Sequence, residues 1–508
     1  MGNEIKIGVF LNYTSIVVRL LTQFLLTPFV IYHLGVDEYG LFMLCNSIII
    51  WLSLTDLGIG ASITKYVVTY RAKKQYEQQA HFLGQITILF SFLGLITAFL
   101  GSIFFIFLDD IFSTLNENQI NILDILYLLT LSNLIISFPL RPINSIPGAY
   151  QKFILPGFVS LATSILNAGL TIVLLIFDYK SIGLTVLAIT LGLIKLIWNL
   201  YYSTNSLKVK FKFCKPDIPL YKEICAFSIW ILLSQLMDLF YWRTGTPILA
   251  IVSGTQSVAL FTLGITLAQI FMTASSAIAG VVAPKLVQMV ALDASKEALT
   301  NVMIRAGRAQ LCILVLIITG FGVLGKDFLH LWVGNSIGEK AAEVWVGTLV
   351  VLVPLLIPLT QNAGLAILQA LNIHKGRAII LFYTSLVCVV LGYLLSLHFG
   401  FLGMFIGTAI SLTLGQIIMI NIYYSRRAGL HIRQFFMRTY RPIILPVCVI
   451  FLFGFLIQNT FDISDWKDFI LSGGLFTIIG SITLWLLYMN KEEKQIFITP
   501  FKRIFHLR

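Results

Sequence analysis

Three cations lie inside long apolar runs of this chain: Arg19, Lys195 and Arg243. A charged side chain at the centre of a bilayer costs about 2.5 to 3.5 kcal/mol on insertion scales, so each must face a bundle interior, line a wet cavity or reach an interface. Arg19 is in line with Asn12, Ser15 and Gln23, which predicts one polar stripe along an otherwise apolar helix. Positive charge held in a low-dielectric groove suits a phosphate or pyrophosphate, and the planar fork of arginine suits it best. Arg19, Lys195 and Arg243 are therefore the candidate anion contacts, with Asn12, Gln23 and, in a later run, Gln269 as polar neighbours. Each cation also has a plainer reading. Arg19 would pair with Asp56 and only fix helix packing, Lys195 would snorkel to the inner interface, and Arg243 would reach the outer headgroups. Asp56 and Asp238 are the acids within the runs, open to ion coupling through a proton or Na⁺, or to charge balance against Arg19 or Arg243. Asp238 and Arg243 diverge by about 140° around a helix and make poor direct partners.

The elements that carry these residues follow from composition. The chain has 508 residues, 58% hydrophobic and 11% charged, whereas a typical soluble domain is about 25% charged. This implies an all-α polytopic membrane protein. Fourteen apolar runs of about 20 residues are each long enough to span a bilayer. They cover 8–32, 40–62, 84–107, 122–141, 154–177, 182–203, 224–249, 257–282, 309–329, 343–366, 378–397, 401–424, 442–460 and 469–489. With both termini in the cytoplasm, 28 of the 35 basic residues fall on the inner side, an asymmetry that a missed or invented span midway would erase. The net charge of +12 therefore reads as topology and not as nucleic-acid binding. The six cysteines and seven histidines are scattered, with neither a disulfide framework nor metal-ligand spacing, so no cofactor is implied. Met1–Lys6 is too short, and the run after it too long, for a cleaved signal.

Two local features are expected to shape the spans. The first two runs form a hairpin through the turn His33–Gly40, and the second ends in Thr55-Asp56-Leu57-Gly58-Ile59-Gly60, where glycine loosens the helix at membrane depth. Pro139 and Pro142, and Pro354 and Pro358, should bend spans 4 and 10. Polar stripes through Asn133, Ser137, Arg141 and Asn144, through Gln235 and Asp238, and through Thr262, Gln269, Thr273 and Ser276 suit a shared cavity or interhelical hydrogen bonding.

A weak repeat joins the halves. Gly35, Leu41, Phe42 and Leu44 recur as Gly254, Leu260, Phe261 and Leu263, Gly183 recurs as Gly403, and Gln151 recurs as Gln369. The shared offset of 218 to 220 residues predicts two pseudo-symmetric six-helix lobes, at 1–204 and 224–425, joined by a basic segment at 205–223. A C-terminal helix pair and a basic tail occupy 426–508.

Leu34-Gly-x-x-x-Tyr39-Gly40 after span 1, Asp56-Leu-Gly58 ending span 2, Gly325-Lys-Asp-Phe-Leu-His-Leu-Trp332-Val-Gly334 and the segment from Gln361 to Lys375 carry a resemblance. The chain resembles the polysaccharide flippases, the Wzx-type transporters of the multidrug/oligosaccharidyl-lipid/polysaccharide exporter superfamily. The resemblance implies a two-lobed exporter of the bacterial inner membrane that moves an undecaprenyl-pyrophosphate-linked oligosaccharide, such as an O-antigen or capsule unit, to the outer leaflet. It also implies partners among membrane lipid and other polysaccharide assembly proteins. Members often carry an Asp late in span 7. This chain departs from them, with Trp242-Arg243-Thr244-Gly245-Thr246 there and its acid earlier, at Asp238. The expected mechanism is alternating access. A cation-coupled drug exporter would want an acid-dominated pocket, which the three cations oppose. A membrane glycan polymerase would need a large loop combining His with carboxylates, and the outer loops are short and lack one.

Overall fold

Apolar runs with few breakers fold as long helices in the computed structural model, which describes residues 2–491, 493 and 494. The side chains of residues 2–9, 12, 13, 61, 227, 274 and 276–281 lie outside that description. In chain order the helices begin with α1 (Gly2–Ser53), α2 (Ile59–Ala72), α3 (Tyr76–Ile106), α4 (Glu117–Ser137), α5 (Ile154–Ile176) and α6 (Lys180–Tyr201). Then come α7 (Ile218–Trp242), α8 (Gly245–Ala291), α9 (Lys296–Ile337), α10 (Lys340–Thr360), α11 (Asn362–Ala370) and α12 (His374–Phe399). The last are α13 (Phe401–Leu412), α14 (Ile420–Ala428), α15 (Ile432–Thr439), α16 (Ile444–Thr460) and α17 (Trp466–Leu487).

Twelve helical stretches among the described residues are long and apolar enough to cross a membrane, against the fourteen expected. The difference lies in two stretches, Thr14–Asp56 and Ser228–Thr273, of 43 and 46 residues. Each is about twice the length a bilayer needs. Each is also broken by a glycine in a backbone conformation that L side chains avoid: Gly35 at φ 77°, ψ 164°, and Gly254 at φ 75°, ψ −176°. Helix therefore meets helix across one residue, where the sequence suggested the loop His33–Gly40.

The backbone repeats with the predicted offset. Left-handed residues recur in pairs: Gly35 and Gly254, Lys74 and Asp293, Gln151 and Asn372, Lys180 and Gly400, Lys208 and Gly429. All five pairs are separated by 219 to 221 residues. Sequence identity at these pairs is almost absent, so what repeats is the place where each helix stops.

Two departures matter. Leu57 (φ 53°) and Gly58 (φ 70°) are both left-handed and end a short 3-10 turn at Leu54–Asp56, whereas the corresponding part of α8 runs on as helix. After Ser137 the first repeat winds as 3-10 helix through Pro139 and Pro142, whereas α10 stays helical through Pro354 and Pro358 and stops at Thr360.

The chain divides into two compact units, Met1–Ala259 and Leu260–Arg508. In the first, Phe82, Phe90 and Phe138 pack with Ile59, Ile63 and Ile224. The basic segment that the sequence suggested as a linker is bound to α3. The Lys212 amide donates to the Ala80 carbonyl, and buried Gln85 donates to the Cys214 and Lys215 carbonyls while accepting from the Asp217 amide and the Tyr221 hydroxyl. α2 meets α7 through a Ser62–Ser228 hydrogen bond of 2.8 Å and a Tyr66 hydroxyl that donates to Glu223. Burial and then Glu223 push the Tyr66 phenol up to about 12, so this donor keeps its proton at neutral pH. In the second unit, Phe476 of α17 packs with Val315 and Val323 of α9 and Ile450 of α16, docking the C-terminal pair.

The turns after the two broken glycines meet within the first unit. Asp37 accepts from the Thr255 hydroxyl at 2.5 Å, Gln119 donates to the same hydroxyl, and the Thr114 hydroxyl donates to the Ala250 carbonyl. A Cβ on Gly40 would lie 2.1 Å from the Thr255 carbonyl oxygen. Gly40→Val is expected to lower stability by about 1 to 3 kcal/mol through overpacking, seen as a reduced unfolding midpoint in detergent. Gly60→Ala, where a Cβ meets open space, should be neutral or mildly stabilising.

Candidate functional site

The candidate cations can be placed along the bilayer normal from a hydrogen-bonded tie. The Ser181 amide and hydroxyl, at the start of α6, both donate to Glu38 at 3.0 and 2.6 Å, just after the Gly35 break in α1. Arg19 lies 16 residues before Gly35, and Lys195 lies 14 after Ser181. At 1.5 Å per residue, both are about 21 to 24 Å from the tie. They share a depth. Among the described residues neither forms an ion pair. Arg19 and Gln23 are exposed on the surface of their unit, and Lys195 is half-buried.

Arg243 occupies an interruption in its span. α7 stops at Trp242, Arg243 leaves helical geometry at φ −125°, ψ −27°, and the Thr244 amide and hydroxyl both fold back onto the Leu239 carbonyl. α8 resumes at Gly245. Arg243 is half-buried, and among the described residues no carboxylate pairs with it. Gly254, 11 residues on, adjoins the Asp37–Thr255 contact. Arg243 is thus about 16 Å from that contact, nearer to it than the other two cations.

The remaining candidates separate. The side chain of Asn12 lies outside the described residues. Ser15 is buried, donating to the Leu11 carbonyl and lying 3.4 Å from the Gly157 carbonyl of α5, so it faces the α5 seam and not the Arg19 surface. Positions four apart on a helix drift by about 40°, enough to separate the two. Gln269 is half-buried on the second unit. Asp238 is exposed and lies 219 residues after Arg19, so the repeat sets an acid where the first half has a cation.

Asp56 is charge-balanced, but by neither Arg19 nor Arg243. Its partner is Arg141, at 2.9 Å, which also donates to the Ser53 carbonyl and lies over the Phe138 ring at 4.3 Å. The other Asp56 oxygen accepts from the Gly58 amide, 2.9 Å away, and so holds the left-handed break. Arg141 ends span 4 of the sequence reading, on the stripe of Asn133 and Ser137. The 3-10 turn at Phe138–Ser145 carries it to the Leu57–Gly58 break. At the repeat-related positions the second unit has Ser275 and Gln361, both neutral. The signal that would have found the pair is the Asp56-Leu57-Gly58 break opposite the Pro139 and Pro142 turn. Asp56→Asn and Arg141→Gln are each expected to cost about 1 to 2 kcal/mol, since the pair is partly exposed. The double substitution should recover part of that loss, as a double-mutant cycle on unfolding midpoints would read.

Sidedness of charge, a repeat and a cationic face fit what the chain is similar to. The profile of the family described as "Polysaccharide biosynthesis protein" matches residues 5–290. The uncharacterized membrane protein EpsK of Bacillus subtilis (strain 168) is 23% identical over 506 residues, 97% of each chain. Among solved structures, the lipid II flippase MurJ in an inward closed conformation matches with a TM-score of 0.71 at 15% identity, covering 95% of this chain and 99% of MurJ. An inward-facing multidrug resistance MATE family transporter of the MOP superfamily matches with a TM-score of 0.61 at 14% identity, over 84% of this chain and 98% of the transporter.

Proposed function

The chain belongs to the polysaccharide biosynthesis protein family, and from that premise we propose that it flips an undecaprenyl-pyrophosphate-linked oligosaccharide from the cytoplasmic to the outer leaflet of a bacterial inner membrane. It is a multi-pass membrane protein with a flippase-type transporter fold. The observation that carries the finer reading is the pair Arg19 and Lys195: two cations at one depth in their spans, neither in an ion pair among the described residues. Like charges side by side in a low-dielectric region repel, and a pyrophosphate dianion turns that repulsion into attraction. Arg243, nearer the outer side, offers the head group its next contact. Gln23 and Asn12 belong to the Arg19 stripe of the first unit, and Gln269 is a separate polar candidate on the second unit. Asp56 acts in charge balance with Arg141, and Asp238 is the candidate for ion coupling.

In this reading both termini are cytoplasmic, alternating access moves the head group, and the lipid tail stays in the bilayer. A potential negative inside favours the outward step by about 2.3 kcal/mol per charge per 100 mV. Other polysaccharide assembly proteins would supply and consume the lipid-linked unit. The test is deletion of the gene in its host followed by analysis of lipid-linked intermediates. A complete repeat unit accumulating on the cytoplasmic face is the expected result. A truncated unit would instead identify an assembly enzyme and overturn the proposal.

A further inference from the structure

The segment between α6 and α7 is a fixed strap that presents a row of lysines. Residues 208–214 form neither helix nor turn, and their side chains alternate in environment. Val209 is buried and Phe211 half-buried, both packed with Phe82 and Phe90, while Lys208, Lys210 and Lys212 are exposed. The Val209 amide donates to the Ser203 carbonyl and the Lys212 amide to the Ala80 carbonyl, and Gln85 holds the chain beyond them at Cys214, Lys215 and Asp217. A Cβ on Gly84 would lie 2.1 Å from the Lys212 carbonyl oxygen. The strap therefore rests directly on the backbone of α3.

The local charge balance is positive. From 208 to 215 there are four lysines and no acid. Among the helices that the strap touches, α2 and α6 carry no acid, α3 carries Glu77, and α7 starts with Asp217 and Glu223. Asp217 accepts from the Leu220 amide and Glu223 from the Tyr66 hydroxyl. Among the described residues none of Lys208, Lys210, Lys212 and Lys215 forms an ion pair.

Depth and apolar neighbours point to a lipid surface as the partner. The apolar run of span 3 starts at residue 84, where the strap crosses α3, so the lysines stand where hydrocarbon gives way to head groups. Phe213 and Ile218, beside the lysines, are 63% and 55% exposed. Apolar side chains so placed suit a membrane interface better than the surface of a soluble acidic protein. Alternate residues of an extended chain are about 6.6 Å apart, a spacing that meets separate head groups and not one phosphate.

We propose that the 208–215 strap is a docking surface for the anionic phospholipid head groups of the leaflet it faces, with Lys208, Lys210 and Lys212 opposite phosphodiesters and Phe213 inserted at the interface. Polybasic segments next to a membrane span are drawn to anionic lipid in this way. The contact would keep the connection between α6 and α7 at one depth.

The experiment reconstitutes the full chain in phosphatidylcholine vesicles with a trace of head-group-photoactivatable phosphatidylglycerol or, in a parallel sample, the same photoactivatable group on phosphatidylcholine. Crosslinked peptides are read by mass spectrometry. The phosphatidylglycerol probe is expected to label peptides between Leu207 and Tyr221 in excess of the phosphatidylcholine probe. Lys210→Gln and Lys212→Gln should each cut that excess about fivefold, the change made by about 1 kcal/mol per basic residue. Arg426→Gln combined with Arg427→Gln, on the second unit, removes more charge and should leave the excess unchanged. The first arm uses the unmodified protein, so it decides the matter even where a variant fails to fold. Labelling confined to other segments, an undiminished excess in both strap variants, or an equal loss in the Arg426 and Arg427 variant would overturn the proposal. So would loss of the excess on adding inorganic pyrophosphate at constant ionic strength, which would make the lysines a site for a free anion. Export plays no part in the readout, so the proposal stands or falls separately from the flippase reading.

Discussion

Arg19→Gln is expected to reduce export of the lipid-linked unit by about 10- to 100-fold, with Arg19→Lys recovering part of the loss. The amide keeps hydrogen-bonding capacity and removes only the charge, so the change isolates the charge-assisted bond to phosphate, worth about 1.5 to 3 kcal/mol. Lysine restores a point charge without the planar fork, which makes it an incomplete substitute. The measurement is complementation of the deletion strain, reading accumulated intermediate against exported polymer at matched protein levels. Lys195→Gln should act in the same direction, and the two losses should be less than additive if both cations hold one dianion. A merely structural Arg19 would behave differently. Its loss would lower the unfolding midpoint and the amount of protein, and polymer per molecule would be unchanged. Among the described residues Arg19 has no carboxylate to leave stranded, so little destabilisation is expected.

The opposite pattern is expected at Arg308. Arg308→Met should cost about 3 to 5 kcal/mol, because it leaves Glu493 buried without its counter-charge. The effect is local: the guanidinium bridges α9, the end of α15 and the segment after α17 through the Arg438 and Tyr488 carbonyls. Unfolding midpoints in detergent check it. Adding Glu493→Gln should recover much of the loss, since most of the penalty is the stranded carboxylate and little is the absent bond. If the single variant matched the unmodified protein, the pair would be solvated in solution and would not tie these elements together.

Reading the charges in sequence and seeing them in three dimensions lead to different places for instructive reasons. Arg19, Lys195 and Arg243 stand out from sequence because an ionised group in a long apolar run has few acceptable surroundings, whatever the tertiary fold. The stripe through Ser15 does not survive, since helical periodicity gives neighbours on one cylinder but not which seam the next helix takes. α5 takes the Ser15 side at Gly157. Arg141 reads in sequence as part of the span 4 stripe, because a run of 3-10 geometry through two prolines changes where a side chain emerges and no periodicity reports it. Glu38 and Asp37 read in sequence as ordinary turn residues, yet they tie the stretch after the Gly35 break in α1 to the start of α6 and to Thr255 in α8.

The all-helical membrane class and the repeat are consequences of local chain chemistry. Apolar length sets the helices, and Gly35 with Gly254 and Gly183 with Gly403 give the repeat its offset, so both are readable from residue order, whereas the merging of fourteen apolar runs into twelve helical stretches among the described residues is not. Which cations share a depth, which acid is already balanced and which arginine is sealed under a carboxylate depend on residues tens to hundreds of positions apart. Those pairings are chosen by packing and by the cost of burying charge, neither of which leaves a periodic trace in the chain, and only the folded structure decides them.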